Sequence, residues 1–316
     1  MTARSVNTRF RAYQLDTAGG SFSYYSDGHF TLVEARYSDA NEQSLLQEMK
    51  ICGVKALSTL HITSWDQDHC APSQLERILG KLQPSLVEYP GYEPHTESGV
   101  ESLKIIKTYK QYKKSNAKTV SITPAFIKEL DKAKSYGYKN VFYHPKSLDD
   151  ECANNNSTVK QFRSGSFNVL SLGDVESTHI SAGLRRQRTI HSETDIMILA
   201  HHGANNGFTT SGFLKHVRPT AAIAISNYGN QFNHPKPEIR ALLHKNNIDL
   251  FTTKTGDIIV RSIVGHTGSY EILNLKAGST EVSSSRVFVA KKQKFLNQNT
   301  DTIRNRIHHP YRGRKK

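Results

Sequence analysis

The sequence predicts an α/β fold whose strands end in loops that carry its chemistry. Three observations lead there. The stretch LHITSWDQDHCAPSQLE, Leu60 to Glu76, reads as strand, ligand-rich loop and helix. Its apolar run, Ala56 to Ile62, gives way to Asp66, Asp68 and His69, and Ser73 with Glu76 has the S-x-x-E spacing of a capping box. Elsewhere, short runs of strand length alternate with segments of helical periodicity. Residues able to bind a cation recur just past predicted strands: Asp174, His201 with His202, and His234.

The chain opens with strand-like runs at Phe10 to Leu15, Phe22 to Tyr25 and Phe30 to Ala35, punctuated by Gly19-Gly20 and the Ser26-Asp27-Gly28 turn. They read as a meander at one sheet edge. Asn41 to Ile51, apolar at Leu45, Leu46, Met49 and Ile51, suits an amphipathic helix closed by Gly53. The strand feeding the central loop follows directly. Beyond Leu82, a strand at Leu86 to Glu88 and the turn Tyr89-Pro90-Gly91 precede a helix from Thr96 to Lys114. A second helix runs from Pro124 to Lys134, with Thr123 as N-cap. Lys104, Lys107, Lys110, Lys113 and Lys114 make this region basic, either as a solvated helix face or as a track for a phosphate backbone. Ser157 to Phe162 and Phe167 to Leu172 flank Ser164-Gly165 as a hairpin and deliver Asp174, a ligand or a helix cap. Strands at Asp195 to Ala200 and Ala221 to Ile225 then release His201-His202-Gly203 and, at a short remove, His234-Pro235.

Composition bounds what such a fold can do. With 316 residues, 36% of them hydrophobic, the chain can bury one large core or two ordinary ones. A formal charge of +14 and a pI near 9.6 draw polyanions, which favours nucleic acid as a partner; a basic surface serving only solubility fits the same charge. Cys52, Cys70 and Cys152, widely spaced and without a C-x-x-C pair, support neither a disulfide framework nor a cysteine zinc knuckle. Cys70 reads as a small buried residue behind the loop, and His61 as a packed one. The N-terminal MTARSVNTRF has no apolar core, and Ala221 to Ile225 is too short to span a bilayer, so a soluble, cytoplasmic chain with no membrane partner is expected. Without a G-x-S-x-G elbow, a P-loop or a G-x-G-x-x-G turn, serine-hydrolase, NTPase and dinucleotide-binding readings lack their essential parts.

The C-terminal stretch departs in composition. Residues 1–285 are expected to form the folded domain and 286–316 a basic tail, in which Arg304, Arg306, Arg312, Arg314, Lys315 and Lys316 form either an electrostatic arm for nucleic acid or a solubilising extension.

Asp66, Asp68, His69, Asp174, His202 and His234 leave four separate strand ends. That is the arrangement expected when loops along one sheet edge build a divalent-metal site, where carboxylates and imidazoles converge without burying unpaired charge.

The pieces TSWDQDH (Thr63 to His69), CANNNSTV (Cys152 to Val159), SLGD (Ser171 to Asp174), ILAHHGANN (Ile198 to Asn206) and SNYGNQFNHPKP (Ser226 to Pro237) together resemble the metallo-β-lactamase superfamily. Within it, they are similar to the hydrolase domain at the C-terminus of ComEC-type DNA-uptake proteins and to its stand-alone relatives. The resemblance spans Phe10 to about Val264 and implies a four-layer αβ/βα sandwich of two mixed sheets flanked by helices, with the site between the sheets. It sets Ser64, Asp66, Asp68 and His69 on the H-x-H-x-D-H motif, Asp174 at the bridging aspartate, His202 in the HHG motif and His234 near the last ligand position. Asn156 and Ser157 stand where many members carry a further histidine.

Ser64 and Asn156 would thin one of the two metal sites to oxygen donors, which suits one firmly held ion, or zinc giving way to manganese or magnesium; one or two ions are expected. The implied chemistry is metal-assisted hydrolysis of a phosphodiester in DNA or RNA. The cation lowers the pKa of water, Asp68 orients that water for attack, Asp66 helps hold a second cation, and His202 or His201 either ligates or protonates the leaving oxygen. Two other readings remain open: a nucleic-acid-binding member with a decayed metal site, and a hydrolase of a small ester, lactam or cyclic nucleotide.

Overall fold

Alternating apolar residues sort the chain into two sheets. The computed structural model describes residues 6–112, 117–132, 140–263 and 265–293. Its first part runs β1 (Thr8–Ala12), β2 (Phe22–Ser26), β3 (His29–Val33), α1 (Asp39–Ile51), β4 (Thr59–His61), α2 (Pro72–Lys81), β5 (Leu86–Pro90), α3 (Glu97–Tyr112), β6 (Lys118–Ile122) and α4 (Pro124–Lys132). Next come β7 (Val141–His144), β8 (Val159–Phe162), β9 (Val169–Ser171), α5 (Thr178–Arg185), α6 (Arg188–Glu193), β10 (Ile196–Ile198), α7 (Ser211–Val217), β11 (Ala221–Ala224), α8 (Pro237–Lys245) and β12 (Asp249–Thr252). The last strands are β13 (Ile258–Ile263), β14 (Ser269–Leu275) and β15 (Val282–Val289).

One sheet has the order β15-β14-β13-β1-β2-β3-β4-β5-β6, the other β12-β11-β10-β9-β8-β7. Both are mixed: β3 to β6 and β9 to β12 pair in parallel, whereas β1 to β3 and β7 to β9 pair antiparallel. Parallel neighbours need crossover connections, and the helices between them supply these. The period of two decides which way each side chain faces. In β10, Ile196 and Ile198 pack with Phe10, Phe22 and Val33 between the sheets, while Met197 joins Leu184, Phe213 and Leu243 under the helices. On the other side, Leu45, Met49, Leu75 and Ile78 cover the outer face at Leu32 and Leu60. Helix, sheet, sheet, helix is the four-layer sandwich that the resemblance implied.

Several local expectations need correction. The opening meander lies inside its sheet, because β13 pairs with β1 from Arg9 opposite Arg261 to Ala12 opposite Ile258. The α2 helix has no capping box: its N-cap is Ala71, Pro72 takes the first position, and Ser73 already lies in the helix. Thr123 does cap α4, accepting from Phe126 N–H at 3.1 Å. Ser177, not Asp174, caps α5 by accepting from His179 N–H at 3.1 Å. The folded part also passes the expected boundary at 285, since β15 pairs with β14, and the Lys291 N–H donates to Asp195 Oδ1 at 2.7 Å. Exposure on both faces of β15 removes the alternation that would have marked it.

Fully buried His61 packs on Phe142 and holds its Nδ1 3.0 Å from Glu88 Oε2, away from any ligand role. Lys104, Lys107 and Lys110 are exposed on α3, whereas Lys113, Lys114 and residues 294–316 lie outside the described residues. Among the described residues, no helix is long and apolar enough to cross a membrane.

Candidate metal centre

Four strand ends meet at one edge of the sandwich. After β4, the loop turns back on itself through His69 N–H and Cys70 N–H, which both donate to Asp66 O, and Ala35 N–H pins it by donating to His69 O at 2.8 Å. This fixes Asp68 and His69. After β9, Gly173 takes a left-handed φ of 57°, where a side chain is disfavoured, and presents Asp174. After β10, His201, His202 and Gly203 all have positive φ, of 45°, 54° and 92°. Two histidines in that region are unusual, and such strain concentrates at functional sites. His201 N–H donates to Gly173 O at 2.9 Å and so ties the two turns together. At Gly203, a Cβ would sit 2.6 Å from Pro235 Cβ, so the HHG turn requires glycine there.

Asp68, His69, Asp174 and His202 each offer one ligand atom, and these atoms lie within 4.8 Å of one another. His69 Nε2 is 2.9 Å from Asp174 Oδ2 and 3.9 Å from Asp68 Oδ1; His202 Nε2 is 3.4 Å from Asp68 Oδ2. Close as they are, both Nε2 atoms are buried and make no well-aligned hydrogen bond. The opposite nitrogens are committed. His202 Nδ1 donates to Ile225 O at 2.7 Å, and His69 Nδ1 is 3.2 Å from Glu34 Oε1. Each ring therefore points its Nε2 at the carboxylates, the orientation that metal-ligating histidines take.

Electrostatics agree with the geometry. Burial raises the Asp174 carboxyl, but the charges of His69 and then His202 outweigh it and bring its pKa to about 2. Asp68 is likewise raised by burial and then carried well below the carboxylate range by His69 and His202. Burial lowers His69, yet Asp174, Glu34 and Asp68 hold its pKa well above the ordinary value, and His202 is raised in the same sense. A buried carboxylate and a half-buried one that keep their charge, with two imidazole nitrogens lacking a well-aligned partner beside them, fit a divalent cation.

Glu34 is the residue the sequence reading missed. It ends β3 in a left-handed conformation, φ 69°, and accepts from Thr63 N–H at 3.0 Å and Thr63 O–H at 2.5 Å while facing His69. An acid directly after the apolar run FTLV was the available signal. Glu34→Gln is expected to weaken metal binding by about 10- to 100-fold, the usual cost of losing a carboxylate behind a ligating histidine. Isothermal titration with Zn²⁺ checks this, and an unchanged affinity would remove Glu34 from the site.

Other expected site residues are placed differently. Asp66 lies outside the four-residue group, its Oδ2 accepting from Ser64 O–H at 3.0 Å, and Ser64 Oγ is 3.2 Å from the Tyr92 hydroxyl. Ser64 is thus a support for Asp66. His234 is also outside the group: its ring lies against those of His201 and His202, with centroids 5.8 and 6.5 Å away. Burial and its two histidine neighbours push His234 down to about 4. Asn156 is spent on the backbone of Asp149, accepting from its N–H at 2.7 Å and donating to its carbonyl at 2.8 Å, and Ser157 is fully buried. Arg304, Arg306, Arg312, Arg314, Lys315 and Lys316 lie outside the described residues.

The histidine pair divides by partner. His201 Nδ1 is 2.5 Å from Glu176 Oε1, an oxygen that accepts from Asn154 Nδ2 at 3.0 Å, and His201 Nε2 is 3.9 Å from Asp174 Oδ2. An open groove of about 710 Å³ runs up to this edge, lined by Asp66, Asp68, Asp174, His201 and Phe232 among others.

No family model matches the chain. In sequence it is similar to ComE operon protein 3 of Bacillus subtilis (strain 168), being 23% identical over 263 residues, which make up 82% of this chain but only 31% of that protein's length. In fold it is similar to the metallo-β-lactamase fold protein YhfI from Bacillus subtilis, at 12% identity and a TM-score of 0.45, covering 80% of this chain and 99% of that one. It is also similar to Igni18, a metallo hydrolase from the archaeon Ignicoccus hospitalis KIN4/I, at 12% identity and a TM-score of 0.46, covering 79% and 98%. With two mixed sheets face to face, helices outside and the motif loops gathered at one edge, the chain is a four-layer α/β sandwich, the architecture that its resemblance to the metallo-β-lactamase superfamily implied, and it is similar in sequence to about a third of ComE operon protein 3.

Proposed function

We propose that the chain is a metal-dependent phosphodiesterase that acts on nucleic acid. The observation that carries this reading is the convergence of Asp68, His69, Asp174 and His202 beside an open groove. Two carboxylates and two imidazoles suit zinc or manganese, with magnesium less well served by nitrogen donors. A cation held there supplies Lewis-acid polarisation of a phosphoryl oxygen and a lowered pKa for water. Ser64 and Asn156, committed elsewhere, supply no donor to a second ion, which favours one tightly held cation.

The chain's own groups fill the remaining roles. Asp68, about a third exposed at the groove, accepts a hydrogen bond from the attacking water and so orients it; its depressed pKa suits orientation better than holding the proton. His201, backed by Glu176, gives a proton to the leaving oxygen, and His202, whose Nδ1 donates to Ile225 O, serves as ligand; these two contacts support that division of roles. A charge of +14 supports a polyanionic substrate, as does the resemblance to the hydrolase domain of DNA-uptake proteins. Free cysteines, with Cys52 and Cys70 buried, suit a reducing compartment, and we place the chain in the cytoplasm.

Chelator-treated protein should leave single- and double-stranded oligonucleotides intact and regain cleavage on addition of Zn²⁺ or Mn²⁺. Metal binding without cleavage under any cation would overturn the enzyme reading. Faster turnover of a cyclic nucleotide, lactam or small ester than of any oligonucleotide would replace the substrate.

A further inference from the structure

The loop between β11 and α8 holds two exposed aromatic rings. Tyr228 is 75% and Phe232 57% exposed. Rings left in water forgo the hydrophobic stabilisation that the chain's other aromatics obtain. The loop is nevertheless firmly built. Asn230 Oδ1 accepts from His234 N–H at 2.6 Å, and Asn230 Nδ2 donates to Asn227 O and His234 O, both at 3.0 Å. Ser226 O–H donates to the same His234 carbonyl at 3.2 Å. The loop that carries Phe232 is thus fixed by the fold.

One face of the Phe232 ring stacks on His234, with centroids 5.7 Å apart and planes inclined by 30°. The ring also lines the groove that reaches Asp68 and Asp174, whose walls are otherwise largely polar, with Thr17, Gln67, Gln74 and Gln231. An occupant matched to this groove has an anionic group for the metal-binding end and a flat ring for the aromatic end. A nucleotide has both. In a duplex, each base is covered on both faces by its neighbours, so only an unpaired base can offer a free face to Phe232.

Resting on the phosphodiesterase reading, the geometry points to Phe232, with Tyr228 on the same loop, as a stacking subsite for an unpaired nucleobase beside the scissile phosphate. Single-stranded nucleic acid is then the preferred substrate. Base–aromatic stacking tolerates every base, so the subsite selects strandedness and not sequence.

The test uses the full chain, loaded with Zn²⁺ or Mn²⁺, and a cleavage-resistant phosphorothioate single strand carrying one 2-aminopurine. Binding is read by anisotropy, and stacking by quenching of the 2-aminopurine. Phe232→Ala should bind the single strand about fivefold to a hundredfold more weakly and lose the quenching, whereas Phe232→Trp should keep both. Binding of the matching duplex should not change. Equal affinity and quenching in Phe232→Ala, or an equal loss on duplex, would overturn the subsite while leaving the phosphodiesterase reading in place. Should the unaltered chain bind neither strand form, the nucleic-acid reading falls and the subsite with it.

Discussion

Asparagine in place of Asp174 is expected to remove metal-dependent hydrolysis by on the order of a thousandfold, matching the several kcal/mol of transition-state stabilisation that a bound cation contributes. Asp174 lies near both orphaned nitrogens, with Oδ2 2.9 Å from His69 Nε2 and Oδ1 3.9 Å from His202 Nε2. An amide keeps the shape and removes the charge, so the circular dichroism spectrum should be unchanged while Zn²⁺ affinity collapses. Asp68→Asn should behave similarly. Ser64→Ala should do much less, because it only frees Asp66, which stands outside the four-donor group. Equal and complete loss in Asp174→Asn and Ser64→Ala would mean that the ligand set is misassigned.

How much of this was legible depended on how local each determinant is. Strand ends carrying Asp68, His69, Asp174 and His202 announce themselves, because an apolar run that stops at a polar ligand is a short-range pattern. Glu34 and Glu176 do not. Each matters only through a partner distant in sequence, Glu34 through His69 and Glu176 through His201. His234 entered the candidate ligand set from its position past a strand end, and the family motif kept it there; in the structure Asn230 and Ser226 anchor its backbone where the ring meets Phe232 and the histidine pair, outside the four-donor group. Helix ends were equally two-sided: Thr123 obeys the capping rule, whereas Ser73 has the right spacing two residues too late, after Pro72 has already begun the helix. For β13 and β14, whose IIVRSI and SYEILNL are strand-like runs, only the pairing was hidden. Their pairing places β1 in the sheet interior, and long-range register leaves no trace in a window of a few residues.

Removing Arg304 to Lys316 should uncouple affinity from chemistry. The deleted segment holds six Lys or Arg residues. Each phosphate neutralised on duplex DNA contributes about 0.9 to the slope of log K against log salt, so six contacts would flatten that slope by up to about five. Binding to long nucleic acid should therefore fall most at low salt, by on the order of a thousandfold if all six charges engage, and should differ little at high salt. Hydrolysis of a small nitrophenyl phosphodiester should stay nearly unchanged, because Asp68, His69, Asp174 and His202 belong to the sandwich edge and are not altered by the deletion. Titrations of a fluorescent duplex across a salt series, beside kcat/KM for the small ester, give both quantities from one preparation. An unchanged slope would make the segment a solubilising extension and move polyanion binding to the folded part, where exposed Lys104, Lys107 and Lys110 on α3 would be the next residues to substitute.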